Sequence, residues 1–184
     1  MNINSVKLLP RLQGAFIIVA VIMLLVGFSG INALKKEKRE QDKLATVSVP
    51  ALWALSQIQQ GISDARMAER SLIIQGIDKQ TFDNQITRID TAFDRISTGI
   101  NKYEKLTIGS NEKKDWNEFK NKYEIWTKEF GNIISAAKNG NMELARKLTF
   151  SSGRKTYNDT SRMSDNLVKQ CIVSVKKADK ISDD

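Results

Sequence analysis

The sequence predicts an all-α protein in which an N-terminal transmembrane helix continues into an antiparallel up-down four-helix bundle. Three observations point there. No charged residue occurs between Leu12 and Leu34. Beyond Leu34, apolar residues recur at alternating spacings of three and four, the pattern of helices that bury one face against neighbours. Only two prolines, Pro10 and Pro50, occur in 184 residues, so long helices meet few breakers.

The uncharged stretch has its apolar centre at Ala15–Phe28. As a helix it extends about 34 Å, enough to cross a hydrocarbon core of about 30 Å. A cleavable signal peptide is the alternative. Its apolar region is shorter, about 7–15 residues, although Gly27-Phe28-Ser29 would serve as a cleavage site. Residues 1–34 are therefore expected to be a cytoplasmic tail and membrane helix, and residues 35–184 a separate bundle. Charge does not set the orientation in the expected sense. Lys7 and Arg11 precede the span, but Lys35, Lys36, Lys38 and Arg39 follow it, and the positive-inside rule alone would put the bundle in the cytoplasm.

Four helices are expected, at about 35–76, 78–107, 111–138 and 141–184. The first carries the stripe Ala51, Leu55, Ile58, Ile62, Ala65, Glu69, Leu72. The second carries Phe82, Ile86, Ile89, Phe93, Ile96, Ile100, Tyr103, and the third Trp116, Phe119, Tyr123, Trp126, Phe130, Ile133, Ala137. The fourth is regular only late, at Leu167, Cys171, Ser174, Ala178, Ile181. Gly76-Ile77-Asp78, Thr107 to Asn111, and Asn139-Gly140-Asn141 supply the helix stops and N-caps between them. Pro50 implies a kink inside the first long helix, because it has no N–H to give the preceding turn. Gly153 is a point where the fourth helix is expected to loosen.

Composition narrows the function. The chain has no histidine and one cysteine, Cys171. That excludes an internal disulfide and a cysteine-based zinc site, and removes the commonest general base. No catalytic residue, metal or cofactor is expected. The net charge is +8, but the lysines stand beside acidic residues and no basic run is interleaved with aromatics. A nucleic-acid partner is not expected.

Short connections make sequential helices antiparallel. Pairing the first helix with the fourth puts residues whose numbers sum to about 218 at one height, given a distal turn at Gly76 and a fourth helix starting near Met142. Asp184 then returns to the level of the bilayer. The expectation is a receptor piece that stops before a second span and an output module. The same rule sets Glu69, the one charged residue on the first stripe, level with Thr149. It sets Arg66 level with Ser152 and Arg70 with Leu148. The facing segment, Ser151–Arg162, has Tyr157 as its only large apolar body. Two readings of this polar band stay open. In one, Arg66 and Arg70, one turn apart, offer guanidinium forks to a carboxylate ligand, with Glu69, Thr149, Ser151, Ser152 and Tyr157 beside them. In the other, Glu69 forms an internal ion pair that specifies register.

Several segments together resemble the four-helix-bundle ligand-binding domain of methyl-accepting chemotaxis receptors. They are Lys7-Leu8-Leu9 ahead of the span, Ile62–Ile73 (ISDARMAERSLI), the aromatic stripe of the third helix and Asn139–Leu148 (NGNMELARKL). The module is also similar to sensors attached to histidine kinases or cyclic-nucleotide enzymes, and a membrane-tethered adaptor with a protein partner is the remaining alternative. The resemblance implies a cytoplasmic N-terminus, a bundle outside the inner membrane, and a homodimer paired through the first helix. It implies a small-molecule ligand, an amino acid or organic acid, or else a ligand-loaded binding protein. Arg66 and Arg70 match the place where amino-acid-sensing members hold their ligand, and Thr149, Ser151 and Ser152 match the part on the fourth helix. Signalling would then pass through a small displacement of that helix.

Overall fold

The structure is a computed structural model that describes the backbone of residues 8–106 and 110–182. It contains six α-helices among the described residues: α1 (Leu8–Lys43), α2 (Val49–Leu72), α3 (Lys79–Glu104), α4 (Ser110–Lys138), α5 (Met142–Leu148) and α6 (Arg154–Ser182). The turns at Leu44–Ser48 and Thr149–Gly153 are π-helical and carry the chain without a break from α1 into α2 and from α5 into α6. The molecule is thus four antiparallel helical rods, the first of them extended by α1.

Pro50 accounts for the first π turn. Its ring removes one N–H donor and crowds the carbonyl of the preceding turn. A widened turn accommodates both, and the Val49 N–H donates to Leu44 O, five residues back. Pro50 thus lies inside one long helix, as expected, and the widened turn just before it takes up the missing donor. The large apolar side chains of α1 from Leu12 to Leu34 are exposed. Phe16 is 68% exposed and Leu24 73%, and the span beginning at Leu12 is long and apolar enough to cross a membrane.

The first rod ends at Leu72, short of the expected residue 76, and Gly76 takes the turn with φ of +79°. Asp78 caps α3, its carboxylate accepting from the Thr81 N–H at 2.8 Å and the Thr81 hydroxyl at 2.7 Å. Those bonds hold its pKa below the ordinary value. Gly140, with φ of +75°, and the Asn141 side chain, which accepts from the Leu144 N–H, stop α4 and start α5. The expected loop residues Thr107, Ile108 and Gly109 lie outside the described residues, as does Asp184.

Packing around α2 is uneven. On one side α2 and α3 approach closely, because Gly61 and Gly99 have no side chain. A Cβ on Gly61 would lie 2.7 Å from Ala92 O, and one on Gly99 would lie 2.6 Å from Ala54 O. Aromatic rings instead fill the space between α3 and α4: Phe93 stacks on Trp126 at 5.7 Å, and Tyr103 lies 4.4 Å from Trp116. The expected α2 stripe is buried throughout. On α3 the line is shifted. Gln85, Ile89, Ala92, Ile96, Gly99 and Tyr103 are buried, while Phe82, Ile86, Phe93 and Ile100 flank the core half-buried. Small residues lead there because only they allow the two backbones to approach.

The lower end of α6 reaches the first π turn, where the Cys171 thiol donates to Ser48 O at 3.5 Å. Burial pushes that thiol's pKa up, so Cys171 serves as a small apolar side chain. Ser174, expected in the buried stripe, is exposed. Ala178 and Ile181 lie outside the residues whose side chains are described.

Candidate functional site

The polar band closes on itself at the seam between α2 and the fourth rod. Arg66 Nη1 donates to both carboxylate oxygens of Glu69 at 2.8 Å, and Arg66 Nη2 donates to Thr149 O at 3.2 Å. The Thr149 hydroxyl donates to Glu69 Oε1 at 2.8 Å. Glu69 and Thr149 are fully buried and Arg66 is 8% exposed. A buried carboxylate is tolerable only when paired and hydrogen-bonded, and all the donors it needs are here. Glu69 and Thr149 meet at the height that antiparallel pairing assigns them.

The second π turn makes this contact possible. Thr149 is its first residue and Gly153 its last. The Arg154 N–H donates to Ser151 O, and Thr149 O accepts from Arg66. A wide turn needs room on its inner side. Gly153 supplies it, since a Cβ there would lie 2.6 Å from Ile133 Cδ1 and 3.0 Å from Leu148 O. The expected loosening at Gly153 is therefore one broad turn between two straight helices.

Outside this buried knot lies an open cleft of about 380 Å³. From α2 it is lined by Ser63, Arg66, Met67 and Arg70, and from the fourth rod by Phe150, Arg154, Tyr157 and Asn158. Its floor is the outer side of the Arg66 guanidinium, whose central carbon stands 5.3 Å from the centroid of the Tyr157 ring, within cation–π range. Arg70 and Arg154 are exposed and enter no ion pair among the described residues. Arg66 is neutralised by Glu69, so the other two arginines carry the cleft's positive charge.

Of the residues singled out in the sequence, Arg66, Arg70 and Tyr157 line the cleft, and Glu69 and Thr149 support it from below. Ser151 and Ser152 are not brought in. The exposed Ser151 hydroxyl donates to Lys147 O at 2.6 Å. Ser152 turns toward α4 and donates to the Glu129 carboxylate. The expected match of Arg66 with Ser152 thus gives way to Arg66 with Thr149. Phe150, Arg154 and Asn158 were missed. Their spacing with Tyr157, at four, seven and eight residues from Phe150, is the signal that would have found them. Among the described residues no three His, Cys, Asp or Glu side chains gather as a metal ion requires.

A family model described as a four helix bundle sensory module for signal transduction matches residues 5–184. The chain belongs to this family, the sensory module of methyl-accepting chemotaxis proteins. No curated protein and no solved structure matches the chain. The family is a signal-transduction sensory module and not an enzyme family. Within the sensory module, the two rods that form the cleft are the first and the fourth. The first is continuous with the apolar helix α1. The fourth runs back to the level of Ser48.

Proposed function

We propose that this sensory module is the ligand-binding region of a bacterial transmembrane chemoreceptor, with α1 crossing the inner membrane and the bundle outside it. The observation that carries the reading is the arginine-lined cleft at the α2–α6 seam. A ligand bridging Arg70 on α2 and Arg154 on α6 would tie together the two rods that lead to the membrane.

Transmission would use the fourth rod. Packed helices switch between discrete arrangements by axial shifts of about 1–2 Å, and a ligand biases them only through its differential affinity for the two states. The α2–α6 seam suits such a shift. Alongside the apolar contacts of Met163, Leu167 and Cys171 with the shared core, it is held by hydrogen bonds of a few side chains, including Gln59 to Asp165.

A homodimer paired through α2 has its own support. A second stripe with spacings of four and three runs along the outer face of α2, from Val49 and Trp53 through Gln60 and Met67 to Arg70 and Ile74. Val49, Trp53, Met67 and Ile74 on it are large apolar side chains left exposed. Spacing of this kind on an unpartnered helix face is what a second helix recognises.

The test is thermal unfolding of the full chain in detergent micelles against amino acids, organic acids and amines. A ligand at one hundred times its dissociation constant stabilises by about 2.7 kcal/mol. Loss of that shift in Arg66→Ala and Arg70→Ala is expected, and an unchanged shift in both removes the site. Impermeant thiol reagents applied to intact cells check the topology, with single cysteines on exposed bundle positions expected to react.

A further inference from the structure

Given that the cleft is a ligand site, its lining says what charge the ligand carries. Three guanidinium groups border it: Arg66, Arg70 and Arg154. The carboxylate paired with Arg66, Glu69, is fully buried and already accepts from Arg66 and from the Thr149 hydroxyl. No carboxylate lines the cleft itself. Thr149 O, the backbone acceptor beside it, is taken by Arg66. An ammonium group placed here would meet the like charge of Arg70 and Arg154 and find only neutral oxygens, those of Ser63, Tyr157 and Asn158. An anion meets two forks, on Arg70 and Arg154, that no other side chain occupies.

The rest of the lining favours a carbon skeleton over an inorganic ion. Phe150 is 51% exposed and Met67 49%, and with the Tyr157 ring they give the cleft apolar patches between its charges. Sulfate or phosphate would leave those surfaces wet. Pairing of two copies through the outer face of α2 would not change the charge argument. The second stripe, from Val49 to Ile74, contains no acidic residue, so a partner copy would bring no carboxylate to the cleft by that route.

We propose that the cleft selects a small organic dianion, a dicarboxylate that spans Arg70 and Arg154 with its carbon chain against Phe150 and Met67, and discriminates against ligands that bear a free ammonium group. This rests on the reading of the cleft as a ligand site, and the two fail in different ways. The experiment is isothermal titration of the full chain in micelles with succinate, phthalate, L-aspartate and inorganic phosphate. Succinate and aspartate share both carboxylates and differ by the ammonium group, so their ratio isolates the discriminating charge. Succinate or phthalate is expected to bind at least ten-fold more tightly than aspartate and than phosphate. Arg154→Gln, at an exposed position where folding is not at stake, is expected to weaken the dicarboxylate at least ten-fold. Aspartate binding as tightly as succinate, with Arg154→Gln weakening both, would overturn the dianion inference and leave the ligand site standing. Binding of phosphate as tightly as either dicarboxylate overturns the role given to the apolar patches. Dicarboxylate binding that Arg154→Gln leaves unchanged, or no binding by any of the four, overturns the inference together with the cleft as its site.

Discussion

Toward α3, α2 presents Ala54, Ile58 and Gly61, and α3 answers with Ala92, Ile96 and Gly99. Toward the fourth rod the same helix presents Arg66 and Glu69, and the answer there is a threonine at the head of a π turn. One helix thus has a close, dry, apolar seam on one side and a polar seam beside an open cleft on the other. The first fixes α2 and α3 as a unit, because interlocked backbones have one way to fit. The second adds to the apolar contacts of Met163, Leu167 and Cys171 a few directional bonds, which exist in one arrangement and reform in another at modest cost. The proposed signalling would use both, a rigid frame and a rod able to move against it.

The largest expected effect comes from the polar seam. Removing the Glu69 carboxylate in Glu69→Ala leaves Arg66 buried with no counter-charge, a change that costs about 3–5 kcal/mol. Thermal unfolding followed by circular dichroism measures it. Replacing the pair together, in Arg66→Met with Glu69→Leu, is expected to recover most of the loss, since an apolar pair of similar volume avoids the desolvation of both ions. If the double variant is as unstable as the single one, the pair contributes stability and not only register, and the contrast between the seams weakens.

The close seam is tested by adding one methyl group. In Gly61→Ala the new Cβ would stand 2.5 Å from Ile96 Cγ1 and 2.7 Å from a backbone oxygen, so α3 must move. Overpacking of this kind costs about 1–3 kcal/mol. Gly131→Ala on α4 is the control, because nothing lies within 4 Å of its Cβ position. There the substitution is expected to stabilise by about 0.5–1 kcal/mol, the ordinary gain of alanine over glycine in a helix. Equal effects at the two sites would mean that α2 and α3 are not pinched together.

These two seams also differ in how far the sequence revealed them. The α2 stripe was legible in full, Glu69 included, because one helix face with a regular repeat leaves no competing choice. On α3 the eye follows Phe82, Ile86, Phe93 and Ile100, yet Ala92 and Gly99 lie deeper. Periodicity weighs residues by apolar size, whereas a close helix approach is made by the small ones. At the polar seam the antiparallel height rule brought Glu69 to Thr149 but misassigned Ser151 and Ser152. A π turn spends an extra residue in one turn, so side chains beyond its start leave the face that a regular helix would give them. Nothing in Thr149–Gly153 except Gly153 announces that turn. Arg154 was hidden for a plainer reason, since in a run of polar residues only the facing rod determines which cation lines a cleft.

A small effect on the fourth rod sharpens the comparison most directly. Ser164 on α6 is 1% exposed, and its hydroxyl has no hydrogen-bond partner among the described residues. A buried polar group left unpaired costs about 1–3 kcal/mol. Ser164→Ala removes the orphan oxygen, leaves a gap smaller than a methyl group, and substitutes the better helix former. The variant is therefore expected to be more stable by about 1 kcal/mol, which for a chain of this size raises the melting temperature by about 2–4 °C. That gain would mark α6 as the rod whose packing is left imperfect, in line with the displacement proposed for it. A loss of similar size would mean that the hydroxyl is bonded after all, to a water or to the carbonyl one turn back. The fourth rod would then be held as firmly as α3, and the burden of movement would fall on the π turn alone.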